Sequence, residues 1–312
     1  MRIIYFGTSE FAVPSLKALA EGRHGIACVV TQPGRNKGRH LRPAQSPVKE
    51  CARALSLETM EFDDVNSGTA IKALRGLDAD IFVVSAFGQI FGQRLLALPK
   101  LYPVNIHASI LPCYRGASPL QRAIINGDEK SGITIIVMNE FLDQGDIIAV
   151  EETVITDADD AVVLSRRLAG LSAQLIVKTV DRIESGMVKL IPQDSARATY
   201  APKLTKADGL ICWDQCADDI LNKIRGCMPW PGAYTFMNKK LLKIIKARKY
   251  FLEDGRGPLM HGRVMVVSDT ELVVSCKGSA IILDELQLEG RRCLKAAEFL
   301  RGYNIKQDII LG

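Results

Sequence analysis

Three polar side chains between residues 105 and 143 are of types that could stabilise a developing negative charge. Asn105 and His107 close the apolar run P-V-N-I-H, which predicts a strand. Side chains at positions i and i+2 share one face of a strand, so this amide and imidazole would lie side by side. Hydrogen-bond donors in such a position can stabilise an oxyanion. Asp143, in F-L-D-Q-G-D after a later strand, could converge there to orient the imidazole or accept a proton.

The surrounding sequence does not favour a covalent mechanism. Ser109 is close to His107, but no GxSxG elbow is present. No cysteine lies at a recognisable strand-to-helix turn either. An oxyanion site without a nucleophile indicates direct acyl transfer between two bound substrates. The alternative is that His107 is a structural residue whose hydrogen bonds are satisfied within the fold.

The elements that must position these residues alternate between short apolar strands and amphipathic helices. Continuous apolar runs at 3–6, 25–31, 81–85 and 103–107 predict strands buried on both faces, and further strands are predicted at 133–138 and 146–151. This pattern indicates a doubly wound α/β domain built on a parallel sheet. Ligands bind such sheets outside the carboxyl ends of the strands. GxGxxG is missing, so a dinucleotide site is poorly supported, and the absence of a P-loop argues against phosphoryl transfer from a nucleotide.

A second domain is predicted after the sequence changes character near Asp194. Residues 194–206 lack periodicity and indicate a linker. One helix and about five short strands follow, which suits a small OB-like β-barrel. We therefore expect an α/β catalytic domain over 1–193, a linker over 194–206 and a β domain over 207–312.

Charge and cysteine content suggest the partner and the compartment. The net charge is +5, and residues 206–312 hold 17 Lys and Arg against 13 Asp and Glu, which favours a polyanionic partner there. The basic loop 31–47 is either a solvated surface loop or an arm that reaches for phosphates. The eight cysteines contain no CxxC pair, and M-R-I-I-Y-F-G begins directly with a strand-like run. We expect a cytoplasmic protein with reduced thiols.

Five stretches together resemble a known family. N-I-H-A-S-I-L-P-C-Y-R-G-A-S-P-L-Q-R (105–122) and G-I-T-I-I-V-M-N-E-F-L-D-Q-G-D-I-I (132–148) resemble the signature of the 10-formyltetrahydrofolate-dependent formyltransferases. R-I-I-Y-F-G-T-S-E-F (2–11), T-Y-A-P-K-L-T-K (199–206) and P-W-P-G-A-Y (229–234) resemble the branch of that family that acts on methionyl-tRNA. The resemblance covers nearly the whole chain.

The resemblance implies a specific reaction and a set of site residues. The reaction is formyl transfer from 10-formyltetrahydrofolate to the α-amine of methionyl initiator tRNA, for translation initiation and without a metal. The implied catalytic residues are Asn105, His107 and Asp143. The implied folate-binding residues are Ser109, Ile110, Leu111, Pro112, Phe87, Gly88, Gln89 and Ile90. The implied tRNA contacts are Arg35, Lys37, Arg39, Arg42, Lys203, Lys206 and Lys246.

Two other functions remain open from the sequence. One is formyl transfer to a small amine, such as glycinamide ribonucleotide or an amino sugar; the basic loop and the second domain argue against it. The other is a non-catalytic RNA-binding relative, against which the intact Asn105, His107 and Asp143 argue. We expect the protein to act as a monomer.

Overall fold

A computed structural model of the chain describes residues 1–37, 42–251, 260–268, 270–303, 305 and 309–312. Contacts divide the chain into two compact units. The first comprises Met1–Pro119, Lys130–Val154 and Ser165–Ala201; the second comprises Leu120–Glu129, Ile155–Leu164 and Pro202–Gly312. None of the described helices combines the length and the apolar character that a membrane crossing requires.

The first 201 residues contain eleven strands and six α-helices in their described part. The strands are β1 (Arg2–Gly7), β2 (Gly25–Thr31), β3 (Arg35–Lys37), β4 (Arg42–Ala44), β5 (Thr59–Glu61), β6 (Ile81–Ser85), β7 (Tyr102–His107), β8 (Arg115–Gly116), β9 (Lys130–Val137), β10 (Ile147–Val154) and β11 (Tyr200–Ala201). The helices are α1 (Val13–Ala20), α2 (Pro47–Ala54), α3 (Gly68–Arg75), α4 (Gln93–Leu96), α5 (Pro119–Ile125) and α6 (Ala161–Glu184).

The first unit is built on one seven-stranded sheet with the order β10-β9-β7-β6-β1-β2-β5 among the described residues. The five strands from β5 to β7 pair in parallel, which confirms the predicted doubly wound α/β domain. β9 runs antiparallel to both β7 and β10. Only residues 138–146 join β9 to β10, and so short a connection without a helix permits only an antiparallel return.

Apolar packing brings the ends of the central strands to defined positions. Every residue of β6 is buried, as the continuous run I-F-V-V-S predicts for a strand covered on both faces. Phe6 of β1 packs against Phe82 of β6 and against Phe91 beyond it, with ring centroids 5.0 and 4.9 Å apart. This aromatic cluster fixes the course of the chain that follows β6.

The second unit contains an antiparallel sheet of order β12-β13-β16-β15-β14, with β17 beside β16, among the described residues. Its elements are α7 (Ala217–Gly226), β12 (Ala233–Met237), β13 (Lys240–Tyr250), β14 (Val264–Val267), β15 (Leu272–Cys276), β16 (Ser279–Leu288), β17 (Leu294–Lys295) and α8 (Ala296–Gly302). Register shifts at Lys246 bend β13, so the sheet curls into a half-barrel around Trp213, Ile220 and Leu283. This confirms the small β domain, with one strand and one helix more than the sequence pattern indicated.

Candidate active site

The site lies where two parallel strands end. Ser85 of β6 pairs with Ile106 of β7, so the segments that follow these strands begin at the same edge of the sheet. Asn105 and His107 are at the carboxyl end of β7, and Asp143 lies in the connection after β9. The structure brings these three side chains together.

Asp143 contacts both side chains from β7. Asn105 Nδ2 donates to Asp143 Oδ1 at 3.2 Å, and His107 Nδ1 lies 3.6 Å from Asp143 Oδ2. His107 Nε2 is 2.9 Å from the backbone carbonyl of Tyr114. Because a carbonyl can only accept, Nε2 carries a proton, and Nδ1 is the ring nitrogen that faces the carboxylate. The side chains of His107 and Asp143 are only 6% and 9% exposed, so water screens their interaction weakly.

The loop that carries Asp143 has an uncommon backbone. Asp143 adopts φ +54°, in the left-handed region, and its Oδ2 accepts a hydrogen bond from the backbone N–H of Gly116 at 2.9 Å. A Cβ at Gly145 would lie 1.6 Å from the carbonyl oxygen of Val137, so the chain can pass here only as glycine. The carboxylate is thus held by a backbone N–H as well as by Asn105.

A buried threonine on the neighbouring strand β9 makes two hydrogen bonds to the loop that follows β7. Thr134 of β9 donates to the carbonyl of Ser109 at 2.7 Å and accepts from the N–H of Leu111 at 3.1 Å. Ser109 and Leu111 are buried, while Ile110 and Pro112 are partly exposed. Thr134 thus fixes the backbone of Ser109 and Leu111, and the side chains of Ile110 and Pro112 are the partly exposed ones of this loop.

The segment after β6 is anchored through its carbonyl groups and one amide side chain. The carbonyl of Phe87 accepts from Thr8 Oγ1 at 2.9 Å and from Gln32 Nε2 at 2.7 Å. Gln89 accepts from the N–H of Val65 through Oε1 and donates to the Phe62 carbonyl through Nε2. Gly88 adopts φ +85°, and the Ile90 side chain is 75% exposed. Ile90 is thus an apolar side chain of this segment that is open to the surroundings.

Comparison with known proteins identifies the family. Residues 1–180 match the model of the formyl transferase family, and residues 203–304 match that of the formyl transferase C-terminal domain. The chain belongs to the formyl transferase family. This confirms the resemblance noted in the sequence.

Several relatives match the chain along its whole length. The methionyl-tRNA formyltransferase of Pelotomaculum thermopropionicum is 41% identical over 312 residues, covering 100% of this chain and 99% of the relative. That of Citrifermentans bemidjiense is 39% identical, covering 100% of this chain and 96% of the relative.

Solved structures share the fold of this formyl transferase. The N-formyltransferase from Helicobacter canadensis, in complex with folinic acid and dTDP-3-aminofucose, superposes with a TM-score of 0.66 at 20% identity, covering 90% of this chain and 98% of that chain. HypX from Aquifex aeolicus in complex with tetrahydrofolic acid gives 0.63 at 17% identity and covers 96% of this chain. The formyl transferase spans about half the length of HypX, 47% of that chain.

The basic residues that the sequence singles out in this formyl transferase lie in several places. Arg35 and Lys37 are on β3 and Arg42 is on β4, which pair antiparallel, while Arg39 lies outside the described residues. Lys203 and Lys206 lie near the start of the stretch Pro202–Gly312 of the second unit, and Lys246 lies on β13. All three side chains are exposed.

The sequence did not single out several residues that the structure brings to this site. Gly116, Thr134 and Gln193 contact the segments that carry the Asn, His and Asp, and Arg115 bonds Gln193. Their only signal was that Arg115, Gly116 and Thr134 fall within the two signature stretches; Gln193 carried none.

The described residues also bear on metal binding and on thiol chemistry. No three His, Cys, Asp or Glu side chains there come close enough to hold a metal ion. Burial raises the pKa of Cys28 and of Cys227 to about 11, so both thiols stay protonated near neutral pH.

Proposed function

We propose that this formyl transferase moves the formyl group of 10-formyltetrahydrofolate onto the α-amine of methionyl initiator tRNA. The product is N-formylmethionyl-tRNA, which serves translation initiation. The observation that carries the proposal is the enclosed Asn105–His107–Asp143 cluster, found in a chain that matches methionyl-tRNA formyltransferases over its full length.

The chemical step is direct transfer between the two substrates. The neutral α-amine, whose reference pKa is about 7.7–8.0, attacks the formyl carbon on N10 of the folate. Negative charge develops on the formyl oxygen, where Asn105 Nδ2 and a protonated His107 Nδ1 donate hydrogen bonds. Nδ1 takes this role because Nε2 already donates to the Tyr114 carbonyl.

Proton transfer completes the reaction. Asp143 keeps the imidazole oriented and accepts the proton that the amine loses, because both ring nitrogens of His107 are already protonated. The carboxyl group then passes this proton to the leaving N10. The bond between N10 and the formyl carbon breaks as N10 gains this proton, so tetrahydrofolate and the N-formyl amide result. The low exposure of His107 and Asp143 supports this role, because poorly screened charges interact strongly.

The loops at the edge of the sheet supply the folate-binding surface, and basic residues elsewhere in the chain hold the tRNA. The folate lies against the backbone of 87–90 and 109–112, with Ile90 as an apolar contact. The tRNA is held through phosphates by Arg35, Lys37, Arg39, Arg42, Lys203, Lys206 and Lys246. The enzyme acts in the cytoplasm as a monomer.

Formyl transfer from 10-formyltetrahydrofolate to methionyl initiator tRNA tests the proposal, with uncharged tRNA, free methionine and a nucleotide-linked amino sugar as control acceptors. We expect transfer only to the charged tRNA. His107→Ala and Asp143→Ala should each lose most single-turnover activity, by about 10²-fold or more, while still binding folate. Transfer to the sugar and not to the tRNA would move the function to a small acceptor. Near-normal rates in either variant would remove the mechanism.

A further inference from the structure

Gln193 and Arg115 form a hydrogen-bonded pair behind the loop that carries Asp143. Gln193 Nε2 donates to the carbonyl of Asp143 at 2.9 Å and to the carbonyl of Gly145 at 2.7 Å. Gln193 Oε1 accepts from Arg115 Nε at 3.1 Å and from Nη2 at 2.9 Å. One amide side chain therefore spans both ends of the turn at Gln144.

The arginine determines which way the amide points. A guanidinium has only donors, so it must face Oε1, and this leaves Nε2 directed at the two carbonyls. Arg115 is 2% exposed, and it forms no ion pair within the described residues. Burying a cation without a carboxylate partner is costly for stability, which favours a functional reason for its presence.

The segment that contains Arg115 also binds the side-chain carboxylate of Asp143. Gly116, next to Arg115, donates its N–H to the Asp143 carboxylate. β8 pairs in parallel with β11, and the N–H of Tyr114 donates to Thr199 Oγ1 at 2.8 Å. A Cβ at Gly116 would lie 2.8 Å from the Ala201 carbonyl, so the two segments are in close contact. Residues 193–201 therefore support Asp143 in two ways. They pair with the segment whose Gly116 binds the carboxylate, and Gln193 itself binds the Asp143 backbone carbonyl.

We propose that Gln193 and Arg115 are positioning residues for formyl transfer, acting through Asp143. They hold the loop in its left-handed conformation so that the carboxylate faces His107 Nδ1. The inference rests on the proposed function. Since a misplacement of about 1 Å in a reacting group can lower a rate about 10²-fold, losing the pair should lower kcat and leave substrate binding intact.

Gln193→Ala is the first test. We expect kcat to fall about 10- to 100-fold, with KM for 10-formyltetrahydrofolate and for methionyl-tRNA within about threefold of the original enzyme. Should the variant fold poorly, Gln193→Met fills similar space without the hydrogen bonds. An unchanged kcat, or a loss confined to KM, would overturn the inference.

A double-mutant cycle separates positioning from a general structural effect. Gln193→Ala is measured alone and combined with Asp143→Asn, by single-turnover formylation at high enzyme concentration. If Gln193 acts through the carboxylate, its removal should change the rate less than about threefold in the Asp143→Asn background. Losses that multiply would show independent action and overturn the proposal. If the unmodified enzyme does not formylate methionyl-tRNA, the proposed function itself fails.

Two further variants complete the comparison. Arg115→Lys keeps the charge but loses the forked donor pair, so it should match the Gln193→Ala defect and add nothing to it. Gln287→Ala serves as the matched control, because Gln287 Nε2 also donates to a backbone carbonyl, that of Arg291 at 2.7 Å. Gln287 lies on β16 in the second unit, and the kcat of the Gln287→Ala variant should equal that of the original enzyme.

Discussion

The two ring nitrogens of His107 have different surroundings. Nε2 donates to a backbone carbonyl that cannot move without disturbing the chain after β7, whereas Nδ1 lies 3.6 Å from Asp143, beyond hydrogen-bonding distance. No strong hydrogen bond to the protein therefore has to break before Nδ1 meets a substrate oxygen, as the proposed mechanism requires. This asymmetry supports our proposal that Nδ1 is the ring nitrogen that meets the substrate.

Asn105 variants test the electrostatics beside that nitrogen. Asn105→Ala should lower kcat about 10²–10³-fold, because an oxyanion donor is lost. Asn105→Asp should lower kcat further near neutral pH. It places a second carboxylate against Asp143, and two carboxylates sharing a site raise one pKa. The pair would then keep a proton, so the acidic limb of the pH–rate profile should lie at higher pH than in Asn105→Ala. Coincident profiles for the two variants would contradict this account of Asp143 as a charged partner.

At the scale of elements, hydrogen bonds from short polar side chains fix the loops that follow the strands. Thr134 supports the loop after β7 with two hydrogen bonds, in addition to its place in the β9 ladder. Replacing its hydroxyl would leave the N–H of Leu111 without that acceptor in a buried position. Losses of this kind cost about 1–3 kcal/mol.

Thr134→Val should therefore loosen the loop 109–112. If that loop binds the folate, KM for 10-formyltetrahydrofolate should rise more than kcat falls. Thr179→Val is the control, since Thr179 is also buried and its hydroxyl bonds the Leu175 carbonyl within α6. Kinetic constants that change equally in both variants would show that stability, and not the loop, is responsible.

Sequence patterns predicted the elements whose signals are local. Apolar runs marked β1, β6 and β7 because those strands are buried on both faces, and the i, i+2 spacing of Asn105 and His107 was enough to place them together. The pairing of β8 with β11 could not be predicted. Two-residue strands have no periodicity, and their partners are selected by tertiary packing.

Gln193 shows the same limit within the site. It follows Asp143 by 50 residues, in a stretch without a motif, and only the folded chain brings its amide to the loop. The sequence could identify the side chains that we propose to react, because their chemical types are rare at the end of a buried strand. It could not supply those that hold them, because any amide or hydroxyl at the right distance would serve.

At the scale of the whole molecule, charge is distributed unevenly along β13. Arg248 forms ion pairs with Glu271 at 2.9 Å and with Asp284 at 3.2 Å, and Lys249 pairs with Asp218 at 2.6 Å. Lys246 is exposed and forms no ion pair within the part of the chain that the structure describes. Of these three cations, Lys246 offers the charge that is not already neutralised.

Lys246→Gln should therefore weaken tRNA binding and leave folate binding unchanged. KM for methionyl-tRNA should rise, and the slope of its logarithm against the logarithm of salt concentration should fall by about 1, the value for one lost phosphate contact. Lys249→Gln is the matched control on the same strand, and its slope should change less because its charge is already paired. Equal slopes in Lys246→Gln and the original enzyme would mean that β13 does not meet the phosphate backbone. The tRNA contacts would then have to come from the basic loop 31–47 and from Lys203 and Lys206.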